Sequence, residues 1–388
     1  MRYSFSDKST IITIIALLVS LFAQMQAISL LGITIPLSLS SNEMSTNTIG
    51  QVMALYSIGL VIGSYQGKKT IARVGHIRAF AGFGAIAISA AIIHSLTHSV
   101  VFYALLRIVS GLSAAVMLIV IESWFNTLSQ NTDRSRLMAL HQVVFYFAMG
   151  TGQLLINLVP DDYSASFLIA ALLSCCALIP ITLIRIENPT VTLNKQTKLS
   201  ELFTIAPCGI IGAVCAGNAI GTVFNLAPIY AKNMQISTLD ISIFMSAIIF
   251  SGVSLQRTIG KLADKYSREH ILIVLLLITA SAAQLLLSLN TVVPLVILGI
   301  VLGAPIACIY PVSVAATYAH LSDDKAVASS SALMLSYAIG GFSGPIIASF
   351  SMTLFSNNAL FMYLSIYCVT GAVICFFIKK VNFTGNKN

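Results

Sequence analysis

Long apolar runs recur along the whole chain, and they limit the possible folds more than any other feature. Each run holds about 20 residues, which is enough to cross ~30 Å of hydrocarbon as an α-helix. Only 9% of the 388 residues are charged and 57% are hydrophobic, whereas a soluble domain carries roughly 25% charged residues. There is too little polar surface to cover a soluble fold, so the sequence predicts an all-α polytopic membrane protein.

The apolar runs predict twelve transmembrane helices, an even number that places both termini on one side. Most Lys and Arg residues fall on that side, and only Lys232 falls in an opposite loop. Because loops rich in these residues stay in the cytoplasm, we expect an integral membrane protein with both termini cytoplasmic. The predicted spans are about 11–38, 47–66, 77–96, 99–125, 136–159, 166–186, 203–230, 240–259, 271–289, 293–318, 327–351 and 358–378.

The chain divides into two similar halves. The longest polar connection, residues 187–202, separates a predicted N-terminal six-helix bundle (1–186) from a C-terminal one (203–388). A constant offset of 192 residues relates the halves without gaps over four spans, pairing for example Gln26 with Asn218. Two like-oriented halves of this kind indicate two pseudo-symmetric bundles, an architecture that places a solute site between the halves.

A small charged island, residues 260–268, lies between two apolar runs. Charges are costly in hydrocarbon, so the island is predicted at a water interface. Its glycine permits close helix approach, and its acid and bases can hold neighbouring helix ends. We interpret the island as a conformational clamp on the cytoplasmic side; the alternative is a turn whose bases only set orientation. The clamp residues are Gly260, Asp264, Lys265 and Arg268, with Arg73 and Gly75 opposite.

The chain resembles the major facilitator superfamily over essentially its full length. The island is similar to that family's cytoplasmic loop motif, and residues 68–78 are a weaker copy, with Ala72 where the acid is expected. The stretch from Arg107 to Gly111 is similar to the family's fourth-span arginine motif. Residues 120–124, 136–139 and 335–340 resemble the bacterial YcaD-like branch. The resemblance implies a transporter whose substrate and proton meet between spans one, four, seven and ten.

Three ionisable residues inside predicted spans are candidates for the substrate and proton pathway. Arg107 lies about eight residues inside span four. A charge at that depth is costly, so we take the residue as a candidate functional group. Glu122 follows fifteen residues later, ~22 Å along and ~60° around the helix, so both can face one cavity. His141 lies at a similar depth in span five and can pair with Glu122 or relay a proton. The alternatives are an ion pair of Glu122 with Arg134, Arg136 or His141. For Arg107 they are snorkelling or hydrogen bonding to backbone carbonyls, and for His141 a hydrogen-bonded position at the interface, which is favoured over the relay.

Polar and small residues complete the candidate site. Amides at mid-depth can bind a solute or bond neighbouring helices, and tyrosines suit polar or aromatic ligands. Small residues and proline allow close helix packing and bending; an element of this kind in span eleven resembles one that exporters carry in span five. The further pathway candidates are Gln26, Asn218, Asn225 and Tyr310, and the predicted helix-packing residues are Gly111, Ala115, Gly303, Ala307, Gly340, Gly344 and Pro345.

Motifs of other protein classes are absent from the sequence. It has no P-loop, metal-ligand cluster, Ser-His-Asp arrangement or cofactor motif, so we expect no enzyme activity, no cofactor and no bound metal. The seven cysteines all lie in apolar runs, and we expect buried thiols without disulfides. The net charge of +8 is explained by cytoplasmic loops rather than by nucleic-acid binding.

Together these features predict a secondary active transporter of a small solute. It would be proton-coupled, act by alternating access between its two halves, lie in the lipid bilayer and be a monomer. Efflux of a drug-like or metabolite solute is slightly favoured; uptake, including that of a siderophore-type solute, is the first alternative. A receptor or scaffold that binds without transporting is the second, and buried charge such as Arg107 and Glu122 disfavours it.

Overall fold

A computed structural model of the chain describes residues 8–128, 134–159, 162–184, 199–287, 292–321 and 323–385. Side chains are described for the same residues except 8–9, 126–127, 134–136, 292, 323–328 and 381–385. Within these ranges the regular elements are all helical. The α-helices are α1 (Lys8–Ser41), α2 (Thr46–Val74), α3 (His76–Leu96), α4 (Val100–Leu128), α5 (Arg134–Leu154), α6 (Tyr163–Leu183), α7 (Leu199–Ile205), α8 (Pro207–Asn233), α9 (Thr238–Lys265), α10 (Arg268–Leu286), α11 (Val292–Tyr318), α12 (Asp323–Leu354) and α13 (Ala359–Gly385).

Twelve of these helices are long and apolar enough to cross a membrane, which confirms the predicted number of spans. The exception is α7, which has 7 residues. A short 3₁₀ helix, Leu155–Leu158, continues α5. Polar caps mark several helix starts: Asp162 accepts from the Ala165 amide, Ser237 accepts from the Asp240 amide, and Pro207 opens α8. Apolar length and capping thus locate the spans in the sequence.

Several helix ends differ from the sequence-based expectation, and two of them lie in the two copies of the charged motif. α2 continues to Val74 and α9 to Lys265, well beyond the predicted ends at 66 and 259. Most of the charged island is therefore helical, and the prediction that it forms a loop is wrong. The reason is that Lys, Arg and Ala are good helix formers, so a helix continues past the apolar run until a breaker. After α2 that breaker is Gly75, whose φ of 86° suits glycine.

The internal repeat is visible in the backbone. Glu43 and Gln235, which are 192 residues apart, both have a φ of 59° in the turns after α1 and α8. The amide of Glu43 donates to the Ser40 carbonyl, and that of Gln235 donates to the Lys232 carbonyl, again with the same offset. A left-handed residue is uncommon outside glycine, so a matching pair at repeat-related positions confirms two pseudo-symmetric halves.

The folded chain divides into two compact units, of which the first consists of residues 1–38 and 58–193. In this unit α3 packs on α4 and α6, and a buried apolar core includes Leu21, Phe80, Trp124 and Phe125. This core joins α1, α3 and α4. It therefore fixes the position of the α4 residues that are candidate functional groups.

The second unit consists of residues 39–57 and 194–388. Its main helix pairs are α8 with α12, α9 with α11 and α10 with α13. The first part of α2 belongs to this unit: a Cβ at Gly341 of α12 would lie 2.9 Å from the Ser57 hydroxyl. A small core around Leu202, Ile210 and Leu333 holds α7 against α8 and α12.

The predicted linker, 187–202, falls mostly outside the described residues. Positions 187–198 are not described, and the remaining residues of the linker begin α7 at Leu199. The C-terminal end of the predicted linker is therefore helical rather than an irregular connection.

The cysteines differ in exposure. All seven are free, as expected, but Cys175 and Cys176 are exposed on α6, so the prediction that every thiol is buried is wrong. The physical reason is that an apolar run identifies a span but not which face of the helix the protein covers.

Candidate functional site

Glu122 lies near the end of α4 and is accessible although its helix is enclosed. Among residues 106–125, all of which are described, it alone is exposed. It makes no hydrogen bond or ion pair within the described part of the chain. Carboxylates are rarely found facing lipid because the charged form is so poorly solvated there. The geometry therefore indicates that Glu122 faces a space that water can reach.

His141 of α5 is buried and is held by aromatic rings. Its imidazole meets Phe125 edge to face, with ring centroids 5.0 Å apart, and stacks on Phe145 at 6.5 Å. The Nε2 atom of His141 has no hydrogen-bond partner among the described residues. An ion pair with Glu122 is not formed. The side chains of Arg134 and Arg136, the other proposed partners of Glu122, lie outside the described residues.

Arg107 is buried in α4, with 5% of its surface exposed. It follows the buried Tyr103 by one helical turn. Near that turn a polar and aromatic cluster, which sequence reasoning missed, joins neighbouring helices. His94 meets Tyr103 at 4.9 Å and Phe167 at 5.3 Å, and the Tyr103 hydroxyl lies 3.1 Å from that of Ser38. A buried charge close to such a cluster is expensive, which supports a functional role for Arg107.

His76 is a second group that sequence reasoning missed. It is buried at the start of α3, and its Nε2 lies 3.0 Å from the Ser123 hydroxyl. Its ring also packs on Trp124 at 5.4 Å. Ser123 and Trp124 directly follow Glu122, so the start of α3 contacts the same turn of α4 as the exposed acid. The sequence signal that could have revealed this contact is the histidine next to Gly75, within the weaker motif copy at residues 68–78.

Gln26 lies at the contact of α1 with α5. Its Nε2 donates to the Thr151 hydroxyl at 3.2 Å. The helices approach closely because Gly152 has no side chain: a Cβ there would lie 2.8 Å from the Gln26 carbonyl oxygen. Ser29 and Gln153 add a hydrogen bond at 2.8 Å one turn away. The half-buried Gln26 thus serves helix packing while part of it stays accessible.

Asn218 lies at the repeat-equivalent contact of α8 with α12. A Cβ at Gly344 would lie 2.8 Å from the Asn218 carbonyl oxygen, matching the distance in the first unit. The Asn218 side chain is fully buried, and its Nδ2 donates to the Tyr363 hydroxyl of α13 at 2.7 Å. These contacts favour cross-helix bonding over solute binding for Asn218.

Asn225 and Tyr310 are half-buried. The Nδ2 of Asn225 donates to the Gly221 carbonyl of its own helix at 2.7 Å. The Tyr310 ring meets Tyr337 edge to face at 5.1 Å, which brings α11 and α12 together. Both side chains are therefore positioned by neighbours and keep some accessible surface, as a solute-binding residue must.

Several predicted packing residues lie in close helix contacts. A Cβ at Gly303 of α11 would meet the Ser251 hydroxyl of α9 at 2.5 Å. In the first unit the corresponding α2–α4 contact has Ala115 opposite Gly63, where a Cβ would lie 2.8 Å away. Gly340 has no room for a side chain beside α8. Gly111 and Pro345 are buried, and Ala307 is half-buried.

The charged island is solvent-exposed. No atom lies within 4 Å of a Cβ placed at Gly260, so the expected close helix approach at this glycine is wrong. Asp264 and Lys265 are exposed and Arg268 is half-buried. Within the described residues Asp264 makes no ion pair, and the Lys265 ammonium lies 5.5 Å from the Tyr266 ring. Arg73 is exposed on α2.

These features define a polytopic membrane protein built by internal duplication, with ionisable groups inside one half. Comparison with known proteins identifies the class. The Major Facilitator Superfamily model matches residues 17–257 and 209–388. The chain therefore belongs to the Major Facilitator Superfamily, and it is a membrane transporter rather than an enzyme.

Individual proteins similar to this chain are also transporters. The chain is 28% identical over 343 residues to the uncharacterized MFS-type transporter YcaD of Escherichia coli O6:K15:H31 (strain 536 / UPEC), covering 87% of this chain and 88% of YcaD. It superimposes on the crystal structure of nucleoside transporter NupG with a TM-score of 0.75 and 13% identity, covering 96% and 100% of the two chains. A bacterial homolog of the human lysosomal transporter Spinster gives 0.74 and 11% identity, with 95% and 94% covered. At these identities the structures show the shared fold.

Proposed function

We propose that this transporter is proton-coupled and that Glu122 binds and releases the proton. The observation that carries the proposal is the exposure of Glu122 on an otherwise enclosed stretch of α4. An acid at such a position is ionised while water reaches it and protonated when the space closes, because desolvation penalises the charged form. Opening and closing of the protein would therefore drive proton exchange.

Alternating access would come from rocking of the two bundles, 1–186 and 203–388, about a solute chamber. Arg107 would attract solute or stabilise the proton-free state, while Gln26, Asn225 and Tyr310 would contact solute. The Nε2 atom of His141, which has no partner among the described residues, is available to relay a proton. The island residues Asp264, Lys265 and Arg268 keep accessible surface with which to engage other helix ends in a different state.

The direction, site of action and oligomeric state belong to the same proposal. We favour export of a drug-like or metabolite solute, and uptake, including that of a siderophore-type solute, is the alternative. The close packing of Gly340 and Gly344 of α12 against α8 permits helix bending whichever way transport runs. The similarity to YcaD of Escherichia coli supports a bacterial inner membrane, the excess of Lys and Arg on one side supports cytoplasmic termini, and we propose that the protein acts as a monomer.

The test begins with a thermal-shift screen of the purified protein against a solute library at two pH values. A solute that stabilises the protein in a pH-dependent way is then assayed in proteoliposomes with an imposed pH gradient. Glu122→Gln is expected to abolish gradient-driven transport while solute exchange without a gradient continues, because only the proton-binding step is lost.

The control is Glu43→Gln, which removes an exposed carboxylate in the turn after α1. It should leave gradient-driven transport unchanged. Gradient-driven transport by Glu122→Gln at the wild-type rate would refute the role of this carboxyl group.

A further inference from the structure

The contact between α8 and α13 brings two cysteines together. Cys208 lies in the first turn of α8 and Cys375 lies in α13. The Cys208 sulfur is 3.7 Å from the Cys375 carbonyl oxygen, and the Cys375 sulfur is 3.9 Å from the Cys208 carbonyl oxygen. Because each sulfur lies beside the backbone of the other cysteine, the two thiols are direct neighbours across this helix contact.

The helix backbones approach closely beside this pair. Cys215 packs over Gly371, where a Cβ would lie 2.5 Å from its sulfur. Cys208 and Cys215 are seven residues apart, as are Cys368 and Cys375, so each pair lies on one helix face, about 10 Å apart along the axis. A close approach is what a disulfide needs, since its Cα atoms must lie within about 7 Å.

The helix start and the Lys379 ammonium favour the reactive thiolate at Cys208, while the Glu269 carboxylate opposes it. It is the second residue of α8, where the helix dipole stabilises negative charge. The Lys379 ammonium follows Cys375 by one turn and is fixed near the helix ends by the Ser267 hydroxyl at 2.7 Å and His270 Nδ1 at 2.8 Å. Cys208 also keeps 7% of its surface accessible, whereas Cys375 has none.

We propose that Cys208 and Cys375 form a redox-modification site that closes to a disulfide when a hydroperoxide oxidises it. The Cys208 thiolate attacks the peroxide O–O bond, which breaks to give a sulfenic acid and, after protonation, water or an alcohol. The Cys375 thiol then attacks the sulfenic sulfur, the S–O bond breaks, and a further water molecule leaves as the S–S bond forms. The disulfide would fasten the start of α8 to α13.

The test treats the folded, full-length protein, reduced and purified in detergent, with hydrogen peroxide and maps its peptides by mass spectrometry. A Cys208–Cys375 linked peptide, with the loss of two hydrogen atoms, is expected. The oxidised protein should melt at a higher temperature than Cys375→Ser treated in parallel. In Cys375→Ser a dione probe should label the sulfenic acid on Cys208, whereas in Cys208→Ser it should not label Cys375.

Matched variants separate this site from other thiols. Cys215→Ser should leave the linkage intact, because Cys215 lies at the next position along the same interface. The double variant Cys175→Ala/Cys176→Ala, which removes the exposed thiols, should also keep it. Absence of the Cys208–Cys375 linkage in the folded protein, its appearance only in denaturant, or linkage of Cys208 to another cysteine would each overturn the proposal.

Discussion

The α1–α5 contact and the α8–α12 contact are the same backbone arrangement with different side-chain chemistry. Gly152 lies against the Gln26 carbonyl and Gly344 against the Asn218 carbonyl, and in both a Cβ on the glycine would be 2.8 Å from the oxygen. The Gln26 side chain bonds within its own helix pair, to Thr151, while that of Asn218 bonds to a third helix. Duplication has preserved the close packing, where only glycine fits, and has let the hydrogen bonds diverge.

The difference is larger for ionisable groups. The positions equivalent to Arg107, Glu122 and His141 in the second half are occupied by Gly299, Val314 and Leu333. Conversely, the acid of the charged island, Asp264, corresponds to Ala72. The two halves thus share a scaffold, while these three ionisable groups belong to the first half and the complete island belongs to the second. In the proposed mechanism, the proton-binding groups would therefore be present in one copy, and so would the gating groups.

The largest expected effect comes from removing the buried cation of the first half. Arg107→Ala should lower gradient-driven transport more than tenfold in proteoliposomes, which corresponds to about 1.4 kcal/mol or more of lost transition-state stabilisation. Arg107→Lys retains the positive charge but lacks the planar guanidinium. Its transport rate therefore separates the contribution of charge from that of guanidinium hydrogen-bond geometry.

The control for Arg107 is Arg257→Ala in the second half, which removes an exposed arginine of α9. It should stay near the wild-type rate, because an exposed cation is solvated in either state. Wild-type transport by Arg107→Ala would leave this residue with a packing role.

The shared backbone contact gives the next largest effect. Gly152→Leu and Gly344→Leu should each lose about 1–3 kcal/mol or more of stability, because backbone atoms block the new side chain. The two losses should be similar, measured as melting temperatures in detergent. Gly82→Leu, at a glycine of α3 with nothing within 4 Å of a Cβ, is the control and should not destabilise. A large loss in only one half would show that the two contacts are not equivalent.

The divergent hydrogen bonds give a smaller effect that differs between halves. Tyr363→Phe leaves the buried Asn218 amide without its acceptor and should cost about 1–2 kcal/mol. Thr151→Val should cost less than about 0.5 kcal/mol, because Gln26 is half-buried and water can replace the bond. Melting temperatures measure both costs. Combining Tyr363→Phe with Asn218→Ala, and Thr151→Val with Gln26→Ala, isolates the energy of each hydrogen bond. Equal costs would contradict the difference in burial.

The smallest expected effect on stability concerns the charged island. Asp264→Asn should change stability by less than about 0.5 kcal/mol, because the residue is exposed and makes no ion pair among the described residues. It should nevertheless shift the balance of conformations, read as a changed rate of thiol labelling at Ser57→Cys, which lies against α12. Arg73→Gln, at the position equivalent to Lys265, makes the same test in the other half. An unchanged labelling rate for Asp264→Asn would leave the island with a purely topological role.

Most of the architecture could be predicted from the sequence, and the site only in part. The twelve apolar runs and the fourth-span charges are local signals, and the 192-residue offset is visible when the two halves of the sequence are aligned. The charged ends of α2 and α9 were missed because charged helix formers were interpreted as loops. The contacts of His76 with Ser123 and of Cys208 with Cys375 were missed because each joins residues far apart in the chain, and no local pattern encodes such a distance.

By itself the sequence determined that the chain must lie in a membrane, since its apolar surface can be satisfied nowhere else, and that it is built twice. Only the tertiary structure decided which groups are enclosed. Periodicity gives the direction of a side chain on its own helix, but exposure depends on the neighbouring helices. Hence Glu122 remains accessible on an otherwise enclosed stretch of α4, Asn218 is buried in a helix contact, and a Cβ at Gly260 would meet no described atom of another helix within 4 Å.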